Sequence, residues 1–415
     1  MSELFAHQAE LPAEFANFVS YVGPNEIQRA VEKVIRKLAS FDEAPRQVFG
    51  TRYFFHEEIA HYTDNSQPFQ INIRSASAIR AASFIAGTNR ARLAMTESEA
   101  SHFRGMILDN MKPDRDFRQI EHEMRCYIHF RQKGHNVRFA DLGQGGAYDF
   151  LCESGKDSFE VECKTVSQDT GNPIKSETVA SVAQLFATLV ADRHQELASG
   201  IFVLKFDSEP KASNEVSAAL KSILGDLSLK PRAYHDGSIT FLPRPHWNAC
   251  INWLTRQAVQ EMVESDSDVT GQHCFTRSGA NLVGLTLVSD RESELIERVT
   301  GVIKKAADQL SGKRASVIWL HFVDLPESDF LALAHFAMNA QGHGLNALVG
   351  NALVGRGTKD RNHINAVMLS AEAGGITHRP ALDRQLILAR SASVNGPVYE
   401  MQNNRARYAL SNTTL

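Results

Sequence analysis

Two short runs of strict alternation, joined by a turn, constrain this chain more than any other feature. From Ala147 the sequence reads AYDFLCESGKDSFEVECKTVS. Tyr148, Phe150 and Cys152 alternate with Asp149, Leu151 and Glu153, which is the period of a strand and not of a helix. Glu153-Ser154-Gly155-Lys156-Asp157 has turn composition, and a second alternating run follows, so the segment predicts a hairpin. In that second run Phe159, Val161 and Cys163 share one face, while Glu160, Glu162 and Lys164 share the other.

The hairpin brings Asp149, Glu162 and Lys164 together at one end of a sheet, and the chemistry of that grouping is specific. Mg²⁺ takes oxygen ligands and is usually held by one or two carboxylates, leaving room for water and a substrate phosphate. Asp149 and Glu162 would supply the carboxylates, and the backbone carbonyl of Cys163 a third oxygen. An ion held there would polarise a scissile phosphate and lower the pKa of an attacking water. Lys164 would orient that water or steady the charge that builds on the phosphoryl oxygens. A plainer reading fits the same residues. Apolar residues inward with Glu, Glu and Lys outward also describe an ordinary half-exposed antiparallel strand.

The neighbouring elements sharpen the choice. Upstream, Ile120, Met124, Tyr127 and Ile128 recur at helical spacing, Gly134 stands where a helix would stop, and a strand follows. Downstream, the segment from Ser176 is amphipathic, with Val179, Val182, Ala183, Phe186 and Val190 on one side, and GIFVLKF from Gly200 reads as a buried strand. The predicted order is helix, strand, strand, strand, helix, strand. From about Phe117 to Phe206 the chain resembles the core of the PD-(D/E)XK nuclease superfamily, the restriction-endonuclease-like fold. In that family an aspartate ends one strand, E-x-K lies on the next, and a glutamate often projects from the first helix.

The resemblance implies an α/β fold, a mixed sheet flanked by helices, carrying a Mg²⁺-dependent endonuclease site at which Mn²⁺ can substitute. Asp149, Glu162 and Lys164 match residue by residue. Glu123 fits the helix glutamate by its distance from Gly134, with Glu121 as the alternative, and would hold a water on the ion or a second ion. Gln184, on the second helix, matches a glutamine that some branches place near substrate. Tyr148 stands where the motif's proline would be. By family analogy the partner is nucleic acid, DNA ahead of RNA, in restriction, repair or defence. Two alternatives remain: a nuclease fold kept for binding or scaffolding, and an RNA-directed nuclease. Cutting both strands of a duplex would favour a homodimer, and the reading leaves room for an activating partner protein.

Length and composition set the frame. With 415 residues, two or three domains are expected. We place a mainly helical region at 1–115, the nuclease-like core at 116–263 and an α/β region at 270–415, after the linker-like Glu264-Ser265-Asp266-Ser267-Asp268. The formal net charge of −4 excludes a globally basic nucleic-acid coat but not a local positive groove. Cys126, Cys152, Cys163, Cys250 and Cys274 contain no C-x-x-C pair or zinc-ligand spacing, and read as scattered reduced thiols of a cytoplasmic protein. No apolar run approaches the ~18 residues of a membrane span, so no membrane partner is expected.

Other constellations fail on spacing. His56 and His61 are five apart rather than four, so they do not share a helical face for zinc. The stretch Gly350 to Gly357 resembles a phosphate loop but has Arg356 and Gly357 where Lys and Ser or Thr are required. Two basic stretches remain open as phosphate-contacting surfaces or solvated faces: Arg74, Arg80, Arg90 and Arg92, and the run from Arg356 to Arg390 with His363 and His378. The loop Ser167 to Pro173, leaving the active edge, is either a recognition loop or a connector.

Overall fold

The computed structural model describes residues 10–41, 48, 52–64, 76–143, 147–249 apart from a few isolated positions, 271–291, 294–323, 361–371 and 399–402. The second basic stretch, apart from Arg361 to Ala371, and the linker-like acidic segment lie outside these residues. The chain divides into two compact units. One comprises residues 1–35, 51–170 and 295–415, the other residues 36–50 and 171–294.

The first unit begins with helices: α1 (Leu11–Val22), α2 (Pro24–Ala39, which runs on into the second unit), α3 (Phe54–Asp64), α4 (Ala76–Arg92), α5 (Glu97–Asn110) and α6 (Arg118–Gln132). Gly23, at φ 109°, ends α1 with its N–H on the Val19 carbonyl, a conformation that side chains rarely adopt. The Thr96-x-x-Glu99 spacing predicts a capping box, and one opens α5. The Thr96 N–H donates to Glu99 Oε2 at 2.8 Å, and the Glu99 N–H to Thr96 Oγ1 at 3.3 Å. In sequence Gln47 to Phe55 reads as strand-like, but at its described end Phe54 and Phe55 open α3. Burial overrides β propensity there. Phe55 stacks on Phe117 with centroids 4.0 Å apart and meets Phe18 and Phe84 edge-on.

Behind these helices stands a six-stranded mixed sheet in the order β1-β2-β3-β9-β10-β11. Its strands are β1 (Asn136–Phe139), β2 (Phe150–Ser154), β3 (Asp157–Ser167), β9 (Ala315–Val323), β10 (Ile364–Ala371) and β11 (Tyr399–Gln402). The short helix α7 (Ala140–Gly143) follows β1. The predicted hairpin forms, with Phe150 opposite Val161 and Cys152 opposite Phe159. On its other side β3 runs parallel to β9, Glu162 opposite Ile318 and Lys164 opposite Leu320.

Both faces of β3 are covered. Phe159, Val161 and Cys163 join the core under α6. Val166 joins Ile318, Leu320 and Phe322 under α10 (Leu295–Gln309), whose Val299 and Ile303 are fully buried. The half-exposed reading of this strand is therefore corrected: Glu160 and Glu162 are both 0% exposed. Glu160 is satisfied by the Ser311 N–H at 2.7 Å and by the Ser311 hydroxyl and Arg314.

The second unit holds a five-stranded sheet in the order β5-β6-β4-β8-β7, with β4 (Gly200–Phe206) parallel to β8 (Asn281–Ser289). Strands β5 (Arg232–Tyr234), β6 (Gly237–Pro243) and β7 (Gln272–Ser278) pair antiparallel. Helices α8 (Ser176–Ala191) and α9 (Asn214–Gly225) bury Val182, Phe186, Leu220 and Ile223 in its core. The predicted strand at Gly200 thus forms, but in a different sheet from β3. The chain enters and leaves residues 171–294 at one point, where the Glu294 N–H meets the Gly171 carbonyl at 2.9 Å. No helix among the described residues is long and apolar enough to cross a membrane.

Candidate active site

Hairpin register builds the site. Phe139 pairs with Phe150 and Phe150 with Val161, so the next positions outward put Ala140, Asp149 and Glu162 side by side where β1 and β2 give out. The Ala140 N–H donates to the Asp149 carbonyl at 2.9 Å. Strand β3 runs on past this point. Its Cys163 N–H, with no β2 residue opposite, donates instead to Asp149 Oδ2 at 2.5 Å. Within a strand a residue's N–H and C=O point to the same side, so the Cys163 carbonyl also turns toward the open space beyond β2.

Three residues singled out from sequence, Asp149, Glu162 and Lys164, meet here. The Lys164 ammonium pairs with Glu162 Oε1. Glu162 Oε2 is buried and has no hydrogen-bond partner among the described residues. Glu123 reaches the group from α6, buried to 8% exposure. Glu121 does not join it: its carboxylate is taken up by Arg80 and Arg125, with Arg80 Nε at 2.9 Å. Gln184 lies on α8 in the second unit, whereas the helices packed on β3 are α6 and α10.

Electrostatics define the group's character. Burial and the neighbouring Asp149 push the Glu162 carboxyl up to about 8, against the opposing pull of Lys164. Burial raises Asp149 as well, although the Cys163 N–H and Lys164 act against it. Glu123 is raised well above the ordinary range by burial and by Asp149, Asp141, Cys126 and Glu162. For Lys164 burial works downward, yet Glu162 and Asp149 carry its pKa above the usual value. Several carboxyls thus lie close to the Lys164 ammonium in largely buried surroundings. Like charges this close resist joint ionisation unless a further cation joins them.

Sequence reasoning missed a fourth carboxylate. Asp141, on α7, is raised to about 6 by burial and by Asp149, and its Oδ1 is buried without a hydrogen-bond partner among the described residues. The signal was present in the hairpin register, since Asp141 lies two residues past the end of the strand that pairs with the one Asp149 introduces. Sequence spacing also hid a cluster of His122, Cys126 and Cys163, whose ligand atoms lie within 4.8 Å of one another. The i, i+4 step from His122 to Cys126 was legible; the third member comes from another element.

The donor set suits a hard divalent cation: oxygen atoms from Asp149 and Glu162, one of them orphaned, a carbonyl on the same side and further carboxylates nearby. No family model matches the chain, and neither a curated protein nor a solved structure matches it.

Proposed function

We propose that this protein is a Mg²⁺-dependent nuclease that hydrolyses phosphodiester bonds, most readily in DNA. The observation that carries the reading is the group of Asp149 with the buried Glu162 and Glu123, Lys164 as its ammonium, and a Glu162 oxygen that has no hydrogen-bond partner among the described residues.

The element order supports it. Helix α6, the antiparallel strands β1, β2 and β3, helix α10 and the parallel strand β9 occur in succession within one unit, with residues 171–294 set between β3 and α10. That is the order of a restriction-endonuclease-like core, with α10 and β9 in the places that the sequence offered to α8 and β4.

Asp149, Glu162 and the Cys163 carbonyl would hold the ion, and Mn²⁺ would serve in place of Mg²⁺. When bound, the ion supplies Lewis acidity toward the phosphate and a lower pKa for the attacking water. Lys164, half-buried at the end of the group, holds the nucleophilic water in line or stabilises the developing phosphoryl charge. Glu123, buried on α6 beside the group, would hold a water on the ion or a second ion.

Plasmid, linear duplex, single-stranded DNA and RNA incubated with Mg²⁺ or Mn²⁺ test the proposal, with Asp149→Ala and Lys164→Ala alongside, each checked for folding. Metal-dependent cleavage that falls by at least about 10²-fold in both variants is the expected result. Equal cleavage by wild type and variants, or binding of nucleic acid without any turnover, would overturn it.

A further inference from the structure

A second donor set of different chemistry lies behind the carboxylates. His122 and Cys126 are one turn apart on α6, and Cys163 rises toward them from β3. All three side chains are buried: His122 is 1% exposed, Cys126 0% and Cys163 4%. Cys126 Sγ stands 3.7 Å from both ring nitrogens of His122. In a tetrahedral zinc site, bonds of about 2.3 Å to sulfur and 2.0–2.1 Å to nitrogen place adjacent ligand atoms about 3.5–3.8 Å apart. The Cys126–His122 separation falls in that range, and Cys163 Sγ lies within 4.8 Å of both ligands.

The imidazole is held as a metal ligand would be. Its Nε2 bonds the Trp319 carbonyl at 3.1 Å. An outer hydrogen bond of this kind fixes the tautomer and leaves Nδ1 as the coordinating atom. Nδ1 has the Cys126 sulfur at 3.7 Å, a weak bond for a ring nitrogen so deeply buried. A buried ring with one good hydrogen bond and one poor one is better satisfied by an ion than by a thiol.

We propose that His122, Cys126 and Cys163 form a binding site for a thiophilic divalent cation, Zn²⁺, which pins α6 to β3. Three protein ligands leave the fourth position to a water. The two donor sets differ in kind, sulfur and nitrogen here and oxygen at the proposed nuclease site, so they select different metals. This inference does not rest on the nuclease reading.

The full-length protein, stripped with a chelator and titrated with Zn²⁺ against a chromophoric competitor, should bind one equivalent tightly. Its Co²⁺ form should show thiolate-to-metal charge transfer in the near ultraviolet, with tetrahedral bands in the visible. Cys126→Ser and Cys163→Ser should each weaken zinc binding by more than about 100-fold and reduce the charge-transfer band. Lys164→Ala should leave the band intact while abolishing cleavage, which separates failure of one site from failure of the other. X-ray absorption at the zinc edge of the wild type covers the case of a variant that does not fold, and should show two sulfurs and at least one nitrogen. No zinc uptake, a Co²⁺ form without sulfur charge transfer, or a band undiminished in a folded Cys126→Ser would overturn the proposal.

Discussion

Two glutamates buried to a similar depth carry opposite charges of meaning. Glu121 sits between Arg80 and Arg125, and although burial works to raise its carboxyl, the two guanidiniums bring it down to about 2. Glu162 has one lysine and several carboxylates for company and rises to about 8. Glutamine at each position should therefore act with opposite sign. Glu121→Gln leaves two buried cations short of a counter-charge and should cost about 3–5 kcal/mol in denaturant melts. Glu162→Gln relieves repulsion and should stabilise the metal-free protein at pH 8 by about 1–2 kcal/mol while removing metal-dependent cleavage. A destabilised Glu162→Gln at that pH would show that the carboxylate is satisfied in a way its orphaned oxygen does not suggest.

At the scale of elements, the centre of the first unit is the parallel pair of β3 and β9, buried on both faces. Phe159, fully buried between His135 and Phe130, anchors the α6 face, and Phe159→Ala should cost about 3–5 kcal/mol by chemical denaturation. Amide exchange should be slowest in β3 and β9, because they open only with the whole unit. The hairpin, α6, the capping box, and the helix and strand read from DRESELIERVTGVIKKAADQL and ASVIWLHFV, which are α10 and β9, were legible because each announces itself locally, through period or cap. The partner of β3 was not. Parallel pairing carries no local turn to mark it, and GIFVLKF looked as suitable as ASVIWLHFV. The same limit hid the burial of Glu160 and Glu162. An E-x-E alternation describes a solvated face until α10 is known to cover it. Asp149, Glu162 and Lys164 could be read together because one hairpin holds them, whereas Cys163 and His122 meet only through tertiary packing.

For the molecule as a whole, the carboxylates make stability depend on pH and on metal together. In the folded chain Glu162 keeps its proton up to about pH 8, against an ordinary value of 4.5, so the folded state binds more protons in between. Stability must then fall as pH rises through that window. Asp149 and Glu123 are shifted in the same direction. Buried neutral histidines work the other way: His56 is lowered to about 4 by burial, and His321 well below its usual value, so their contribution is complete above pH 6.5. Cys126, brought to about 7 by Cys163 and His122 against the effect of burial, opposes Glu162 only above neutrality, late in the Glu162 window. The metal-free Tm should therefore drop between pH 6.5 and 8. Mg²⁺ at about a hundred times its Kd should return about 2.7 kcal/mol, most visibly at the alkaline end. A flat metal-free profile over that range would contradict the assignment of protons to this pocket.

The separation of β3 from β9 also sets a schedule for the ribosome. At about 5–20 residues per second, the stretch from Ser167 to Ala315 takes on the order of ten seconds to synthesise. Throughout that interval the nascent hairpin carries its acidic side chains into water without the strand and helix that will later enclose them. The charges that are awkward in the finished interior keep the waiting strand soluble, and a chain with apolar residues at 160 and 162 would face that delay with an exposed sticky edge.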